Sequence, residues 1–304
     1  MSDSKPRSRL IFLCLVATWF IWGSTYLVIK FALQSFPPFF QMGTRFLVAG
    51  GVLLTWNLWY RRTMPTFLQW RNAAIIGGLM LGGGMGGTAY AEQSVASGLV
   101  VAFIAVVPAM IAAINFGFGI RLTKFEILGI SIGVLGVILL VSGAGFHGSP
   151  TGLIAIGLAT LCWSSGSVLM LRLFPLALGG VGFASEMICG GVILILVSLL
   201  THESVRWPPS MLAVYAWLYL VVFGSLIAFS AYMTLLSRTS TILAASYSFV
   251  NPIIAMALGV SIGRENVTLR EWFASAIIVA GVVLLLLGRA KKVVAAASDG
   301  GNRL

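Results

Sequence analysis

The chain has 304 residues, of which 59% are hydrophobic and only 9% are charged, and its mean hydropathy is +1.01. Water-soluble globular domains usually carry about 25% charged residues, so this composition excludes a soluble globule and indicates an integral membrane protein. The formal net charge of +11 would suggest a nucleic-acid partner in a soluble protein. Here the cations lie between apolar runs, where they act as topology signals, and no nucleic-acid partner is expected.

Ten apolar runs follow one another along the chain, each close to the roughly 20 residues that a helix needs to cross a bilayer. The first is too long for the apolar region of a secretory signal and lacks a cleavage pattern, so it is predicted to be an uncleaved span. The predicted spans are Leu10 to Ile29, Phe39 to Trp59, Asn72 to Ala91, Ser97 to Phe118, Phe125 to Ser142, Thr151 to Leu171, Gly180 to Leu200, Leu212 to Leu235, Leu243 to Ile262 and Glu271 to Gly288.

Lysine and arginine residues outside the runs fall mostly on one side of the predicted membrane. That side holds Lys5, Arg7, Arg9, Arg61, Arg62, Arg71, Arg121, Lys124, Arg172, Arg238, Arg289, Lys291, Lys292 and Arg303. The other side holds Lys30, Arg206, Arg264 and Arg270. Because cytoplasmic loops are enriched in Lys and Arg, both termini are predicted to be cytoplasmic. A short disordered cytoplasmic tail is expected at 293–304.

Landmarks of the first five runs recur in the second five. Pairs at one common spacing are Trp22 with Trp163 and Arg45 with Glu186. Because each half has an odd number of spans, the second half enters the membrane from the opposite side. The sequence therefore predicts an all-α integral membrane protein, a bundle of two inverted five-helix repeats, 1–146 and 147–292.

Short motifs carry a family resemblance through their order along the chain. They are Trp22-Gly23-Ser24-Thr25 in the first run, Thr44-Arg45-Phe46 in the second, Val107-Pro108 in the fourth and Asn251-Pro252 in the ninth. The chain resembles the drug/metabolite transporter superfamily and, more narrowly, its EamA-type exporters, which include the YddG-like exporters of amino acids. The resemblance implies a ten-helix 5+5 inverted-repeat bundle in a bacterial-type cytoplasmic (inner) membrane. It also implies export of small metabolites by alternating access.

Candidate gating and hinge residues occupy matched positions in the two halves. Pro108 and Pro252 each remove a backbone hydrogen bond near mid-span, so the two spans either bend to gate a path or are kinked only for packing. Tyr90 and Tyr232 are candidate gates at opposite mouths of the path. An ionisable residue inside a span is costly, so Glu186 is predicted to be paired or protonated, with a role in gating or in binding a substrate amine.

Candidate substrate-binding residues combine mid-span tryptophans with a few polar groups: Trp22, Tyr26, Met42, Arg45, Trp163, Ser167, Ser246, Tyr247 and Asn251. Trp22 and Trp163 lie too deep for an interfacial aromatic belt. A mostly apolar pocket with few polar groups is the usual form of a small-ligand site, although an aromatic core is the alternative. Arg45 either reaches out to the headgroups or faces the pathway, where it attracts a substrate carboxylate or organises the outer gate.

The third run is dense in glycine between Gly77 and Gly87, which predicts close helix packing or, alternatively, a pliable cavity wall.

The expected function is export of amino acids or similar small zwitterionic metabolites. One alternative is a sugar-phosphate or nucleotide-sugar antiporter, which should place more cations at cavity depth. The other is an exporter of lipophilic cationic drugs, for which Glu186 would be the membrane carboxylate. No enzyme, cofactor, metal or ATPase subunit is expected, because the sequence shows no cluster of acids and histidines and no phosphate-binding loop. The expected partners are a small-molecule substrate and membrane lipid.

Overall fold

The computed structural model describes residues 4–61, 63–119, 123–141, 148–238, 247–262, 268–281, 283–284 and 287. Within these residues every regular element is helical, and the β contact that occurs is an isolated bridge between Val95 and Gly148. Ser246 and the predicted tail at 293–304 lie outside the described residues.

The helices follow the apolar runs closely. In chain order they are α1 (Ser4–Ala32), α2 (Pro38–Arg61), α3 (Phe67–Gly77), α4 (Gly87–Ala91), α5 (Ser97–Ile104), α6 (Val107–Gly117), α7 (Lys124–Val141), α8 (Pro150–Arg172), α9 (Gly180–Leu200), α10 (Met211–Tyr219), α11 (Ala228–Arg238), α12 (Tyr247–Ser261) and α13 (269–281). Two π-helical segments, π1 (Gly78–Gly86) and π2 (Leu220–Ile227), join α3 to α4 and α10 to α11 without a break.

Several of these helices are long and apolar enough to cross a membrane. Within the described residues they are Arg9–Ala32, Pro150–Arg172, Gly180–Leu200 and Met211–Tyr232, with shorter apolar helices at Val107–Gly117 and Ile127–Gly136. An all-helical membrane fold is therefore confirmed. The count of ten spans and the cytoplasmic position of both termini stay predictions.

The fourth predicted span is interrupted and not merely kinked. α5 ends at Ile104 and α6 begins at Val107, with Pro108 in the first turn of the new helix. Proline suits that turn because its missing N–H would have no helical partner there, whereas inside a helix the ring clashes with the preceding turn. Pro252, by contrast, lies inside α12, which is helical from Tyr247 to Ser261.

Packing between the two halves forms the centre of the bundle. α2 lies along α9, α1 lies against α11 and α12, and π1 lies against α8. Glycines allow the closest approach: a Cβ atom at Gly50 would lie 3.0 Å from the Ala184 carbonyl oxygen, and one at Gly191 would lie 3.0 Å from the Leu47 nitrogen. Small residues at a helix crossing let the backbones touch, which is how helices associate in lipid.

A carboxylate ties the two halves together at one end of the bundle. Glu203, in the connection after α9, accepts hydrogen bonds from the backbone nitrogens of Phe39 at 3.1 Å and Phe40 at 2.8 Å. These N–H groups begin α2 and have no partner inside the helix, so a negative charge there satisfies them and favours the helix dipole. Nearby, the backbone nitrogen of Arg206 donates a hydrogen bond to the Ser35 carbonyl oxygen.

Candidate substrate cavity

A cavity lies inside the bundle, with an empty volume of about 490 Å³ that includes the space at its mouth. It is lined by Trp22, Thr25, Tyr26, Gly84, Met85, Thr88, Ile104, Val107, Ala159, Thr160, Trp163, Phe229 and Tyr247. The lining comes from both halves of the chain, and none of these side chains is charged.

Trp22 is the centre of an aromatic cluster in the wall of this cavity. Its ring centroid lies 4.7 Å from that of Tyr247 and 5.2 Å from that of Phe229, both in edge contact, and 5.2 Å from that of Tyr232. Its indole Nε1 donates a hydrogen bond to the Gly224 carbonyl oxygen at 3.2 Å. That carbonyl belongs to π2. The ring of Trp22 is therefore held rigidly by three aromatic neighbours and one hydrogen bond.

Trp163 faces the same cavity from α8. A Cβ atom at Gly84 would lie 3.2 Å from Cε3 of Trp163, so the glycine of π1 allows the ring to lie directly on the backbone. The Tyr247 hydroxyl interacts with the Trp163 side chain, while the ring of Tyr247 contacts Trp22. The two tryptophans at matched sequence positions thus meet at one cavity and share one tyrosine neighbour.

Threonine hydroxyls supply much of the cavity's polarity. Thr25 donates to the Trp22 carbonyl oxygen at 2.7 Å and Thr88 donates to the Gly84 carbonyl oxygen at 2.7 Å. Thr160 likewise donates to carbonyl oxygens one turn earlier in α8. Because each hydroxyl proton is used within its own helix, the oxygen lone pairs remain as acceptors. These acceptors suit the N–H groups of an ammonium ion.

Asn251 supports the cavity wall from behind. Its side chain is fully buried, and its amide nitrogen, in the orientation that satisfies its surroundings, donates to the Trp19 carbonyl oxygen at 2.9 Å and the Tyr247 carbonyl oxygen at 3.0 Å. Tyr26, which lines the cavity, also interacts with the Asn251 side chain. The amide therefore holds α1 against α12 at the level of the aromatic cluster.

Arg45 is buried in the bundle interior, with only 1% of its surface exposed, and does not reach out to the headgroups. Its Nε donates to the Ser225 hydroxyl at 2.7 Å, and its Nη1 lies 3.6 Å from the Met42 sulfur. The guanidinium carbon lies 5.0 Å from the centre of the Phe46 ring, a cation–π distance. Its Nη2 has no hydrogen-bond partner among the described residues.

Glu186 is equally buried, at 2% exposure, but lies away from the cavity lining. Neither carboxylate oxygen has a hydrogen-bond partner within the described part of the chain, so Glu186 and Arg45 are not bonded to each other. The backbone carbonyl of Glu186 lies where α3 and α9 cross, because a Cβ atom at Gly77 would lie 2.6 Å from that oxygen.

Both halves of the chain match one known family of membrane proteins. Residues 9–142 and residues 150–287 each match the model of the EamA-like transporter family. The chain belongs to the EamA-like transporter family. The resemblance to the drug/metabolite transporter superfamily that the sequence motifs carry is thereby confirmed.

The relatives of this EamA protein include a described transporter and a described efflux pump. It is 41% identical over 273 residues to the uncharacterized inner membrane transporter YedA of Escherichia coli K12, covering 90% of this chain and 89% of that protein. It is 26% identical to protein PecM of Dickeya dadantii, over 79% of this chain and 80% of the relative. A protein described as a probable amino-acid metabolite efflux pump, from E. coli K12, is 22% identical over 86% of this chain and 90% of the relative.

A solved crystal structure shares the fold, with a TM-score of 0.66 and 23% sequence identity over 92% of this chain and 98% of the other. The family match and the relationship to YedA identify a multi-pass inner-membrane transporter of the EamA type. The descriptions of the relatives agree with the expectation that the protein is not an enzyme.

The cavity includes some of the residues singled out from the sequence and leaves others aside. Trp22, Tyr26, Trp163 and Tyr247 line it, and Pro108 is buried next to the lining residue Val107. The other predicted residues that the structure describes are not among the lining residues. Met42 is fully buried beside Arg45, Ser167 donates to the Trp163 carbonyl oxygen, and Tyr232 lies within the aromatic cluster. Tyr90 is 39% exposed and stacks on Phe39, so Tyr90 and Tyr232 have different surroundings.

Sequence reasoning missed the threonines of the lining. Thr25 lies three residues after Trp22, and Thr160 lies three residues before Trp163. Residues three apart share one face of a helix, so the spacing from a predicted tryptophan would have placed each of these two threonines on the same cavity-facing side. Phe229, from α11, carries no such sequence signal.

Proposed function

We propose that this EamA-family transporter exports amino acids or similar small zwitterionic metabolites from the cytoplasm. The observation that carries the proposal is the cavity lining, in which tryptophans from both halves, threonine oxygens and tyrosine hydroxyls surround an uncharged space. A solute with an apolar body and no net charge fits such a lining, because a strongly charged solute would lose its hydration without gaining a counter-ion.

The side chain and the ammonium group of an amino acid each find a counterpart in the cavity. An apolar or aromatic side chain fits between the rings of Trp22 and Trp163, where area burial and ring contacts stabilise it. The ammonium group can donate to the free lone pairs of Thr25, Thr88 and Thr160 and is attracted to the surrounding ring faces.

Transport proceeds by alternating access between two inverted repeats, 1–146 and 147–292, in a ten-span bundle with both termini in the cytoplasm. Three observations support this arrangement. The family model matches the chain twice, once in each half. Equivalent helices α2 and α9 pack against each other across the halves. The segments π1 and π2 also occupy matched positions, and irregular helical turns of this kind are frequent at functional sites.

A second candidate substrate is a lipophilic cation. Aromatic rings make up much of the lining, and ring faces attract quaternary ammonium groups. A sugar phosphate or nucleotide sugar is disfavoured, because no lysine, arginine or histidine is among the lining residues. Phosphate recognition normally relies on such cations.

The proposal predicts selective flux of amino acids in a reconstituted system. The purified protein is reconstituted into liposomes, and the liposomes are loaded with labelled phenylalanine, glucose 6-phosphate or tetraphenylphosphonium. Efflux is measured with and without a proton gradient and compared with efflux from protein-free liposomes. We expect phenylalanine to leave faster than the leak and glucose 6-phosphate to be retained. Efflux of tetraphenylphosphonium without that of any amino acid would assign the second candidate. Retention of every amino acid at the leak rate would falsify the proposal.

A further inference from the structure

Arg45 lies directly behind the cavity wall. A Cβ atom at Gly224 would lie 3.0 Å from Arg45 Nη2 and 3.2 Å from Cγ2 of Thr25, so these three residues meet at one point. Thr25 lines the cavity, and so does Trp22, whose indole is hydrogen-bonded to the Gly224 carbonyl oxygen. The unused nitrogen of the guanidinium is therefore separated from the cavity by a single layer of residues.

The surroundings of this guanidinium leave it short of both negative charge and acceptors. A guanidinium carries five N–H donors. Among the described residues its partners are the neutral Ser225 hydroxyl, the Met42 sulfur, which is a weak acceptor, and the Phe46 ring. No carboxylate of the described chain is bonded to it, and Nη2 has no acceptor among the residues that the structure describes. A cation inside a membrane span is costly and is normally paired, so these open donors fit an anionic group brought by a ligand.

We propose that Arg45 is the carboxylate receptor of the transport site. This inference rests on the proposed function and identifies the group that binds the acid end of the substrate. Nη2 donates to one carboxylate oxygen, while the Ser225 hydroxyl fixes the guanidinium through Nε and acts as a positioning residue. The apolar part of the substrate stays between the rings of the cavity.

The π2 segment gives the carboxylate a way to reach Arg45. Gly224 and Ser225 both belong to π2, and the backbone of Gly224 lies so close to Nη2 that even a Cβ atom there would be only 3.0 Å away. A π-helical segment contains an extra residue per turn, so a shift of π2 toward α-helical register moves Gly224 relative to Arg45. The wall between the guanidinium and the cavity is thus formed by the least regular part of this helix.

The chemistry favours a carboxylate over a phosphate. A single guanidinium balances the one negative charge of a carboxylate, whereas a phosphate monoester carries close to two charges at neutral pH. The cavity lining offers no second cation to balance it.

The test measures binding, which does not depend on transport. Purified protein in detergent is titrated with phenylacetate, phenethylamine and phenyl phosphate, and tryptophan fluorescence or calorimetry reports the affinity. We expect Arg45→Gln to weaken phenylacetate binding by about ten-fold or more, since a hydrogen bond to a charged group is lost, and to leave phenethylamine binding unchanged. Ser225→Ala should weaken phenylacetate binding less, and Arg45→Lys should retain part of it because the charge remains.

The matched control is Arg206→Gln, which makes the same chemical change at an exposed arginine and should alter no affinity. The inference is overturned if Arg45→Gln weakens the binding of all three probes equally or changes the binding of none. It is also overturned if the wild type binds phenyl phosphate more tightly than phenylacetate. Should Arg45→Gln fail to fold, Arg45→Lys and Ser225→Ala support the same comparison between probes. A wild type that binds phenylacetate through Arg45 but exports no amino acid contradicts the proposed function and leaves the carboxylate site in place.

Discussion

Replacing Ile104 by tryptophan is expected to abolish most of the amino-acid export while leaving the protein folded. Ile104 ends α5 in the cavity lining and is only partly buried, so a larger side chain extends into the empty space. Overfilling a packed space costs about 1–3 kcal/mol. A substrate that must occupy the same space bears that cost, and about 1.4 kcal/mol corresponds to a ten-fold change in rate. We therefore expect phenylalanine efflux from proteoliposomes to fall roughly ten-fold or more.

Ile127→Trp is the matched control for this prediction. Ile127 lies in α7 with 54% of its surface exposed, so the added ring has room to point away from the bundle. Phenylalanine efflux by the Ile127→Trp variant should stay close to that of the wild type. Equal efflux by the two variants, with both proteins folded, would show that the solute does not pass through the cavity.

A single methyl group at Gly77 should destabilise the protein strongly. In Gly77→Ala the new Cβ would lie 2.6 Å from the Glu186 carbonyl oxygen and 2.9 Å from the Gly190 nitrogen, both backbone atoms that cannot move independently. α3 and α9 must then separate. Overpacking of this kind costs about 1–3 kcal/mol, which in a chain of this length corresponds to roughly 2–5 °C of melting temperature. Thermal unfolding of the purified protein in detergent measures the shift.

Gly51→Ala provides the comparison for that variant. Gly51 lies in α2, and a Cβ atom there would meet nothing within 4 Å. Alanine also has the higher helix propensity, so the melting temperature should hold or rise slightly. A Gly77→Ala protein as stable as the Gly51→Ala protein would mean that α3 and α9 do not meet closely at this crossing.

Hydropathy predicted the helical membrane fold because lipid imposes a simple rule on the chain. A span must satisfy its own backbone hydrogen bonds and present apolar side chains, so the runs and the helices coincide to within a few residues. Pro108 shows where this reasoning ends. A missing N–H can be accommodated by a kink or by a new helix start, and the sequence alone does not distinguish the two, whereas the structure shows a new helix that begins at Val107.

The aromatic part of the site could be foreseen, whereas its polar part could not. Trp22 and Trp163 lie at matched mid-span positions where an interfacial belt does not explain them. The threonines escaped notice because a helical threonine can donate to its own helix and needs no other partner. The direction of Arg45 depends on Ser225, which is 180 positions away in the sequence, so no local pattern contains that information.

Alternating access requires that the cavity can be reached from each face of the membrane in turn, and labelling of a single cavity thiol measures this. The native cysteines Cys14, Cys162 and Cys189 are replaced by serine, and Thr160→Cys places one thiol in the cavity lining. A membrane-impermeant maleimide is then applied to vesicles of right-side-out and inside-out orientation, with and without phenylalanine. We expect the thiol to be labelled from either face and phenylalanine to slow the labelling. A thiol that reacts from one face alone, or at the same rate whether or not phenylalanine is present, would contradict alternating access through this cavity.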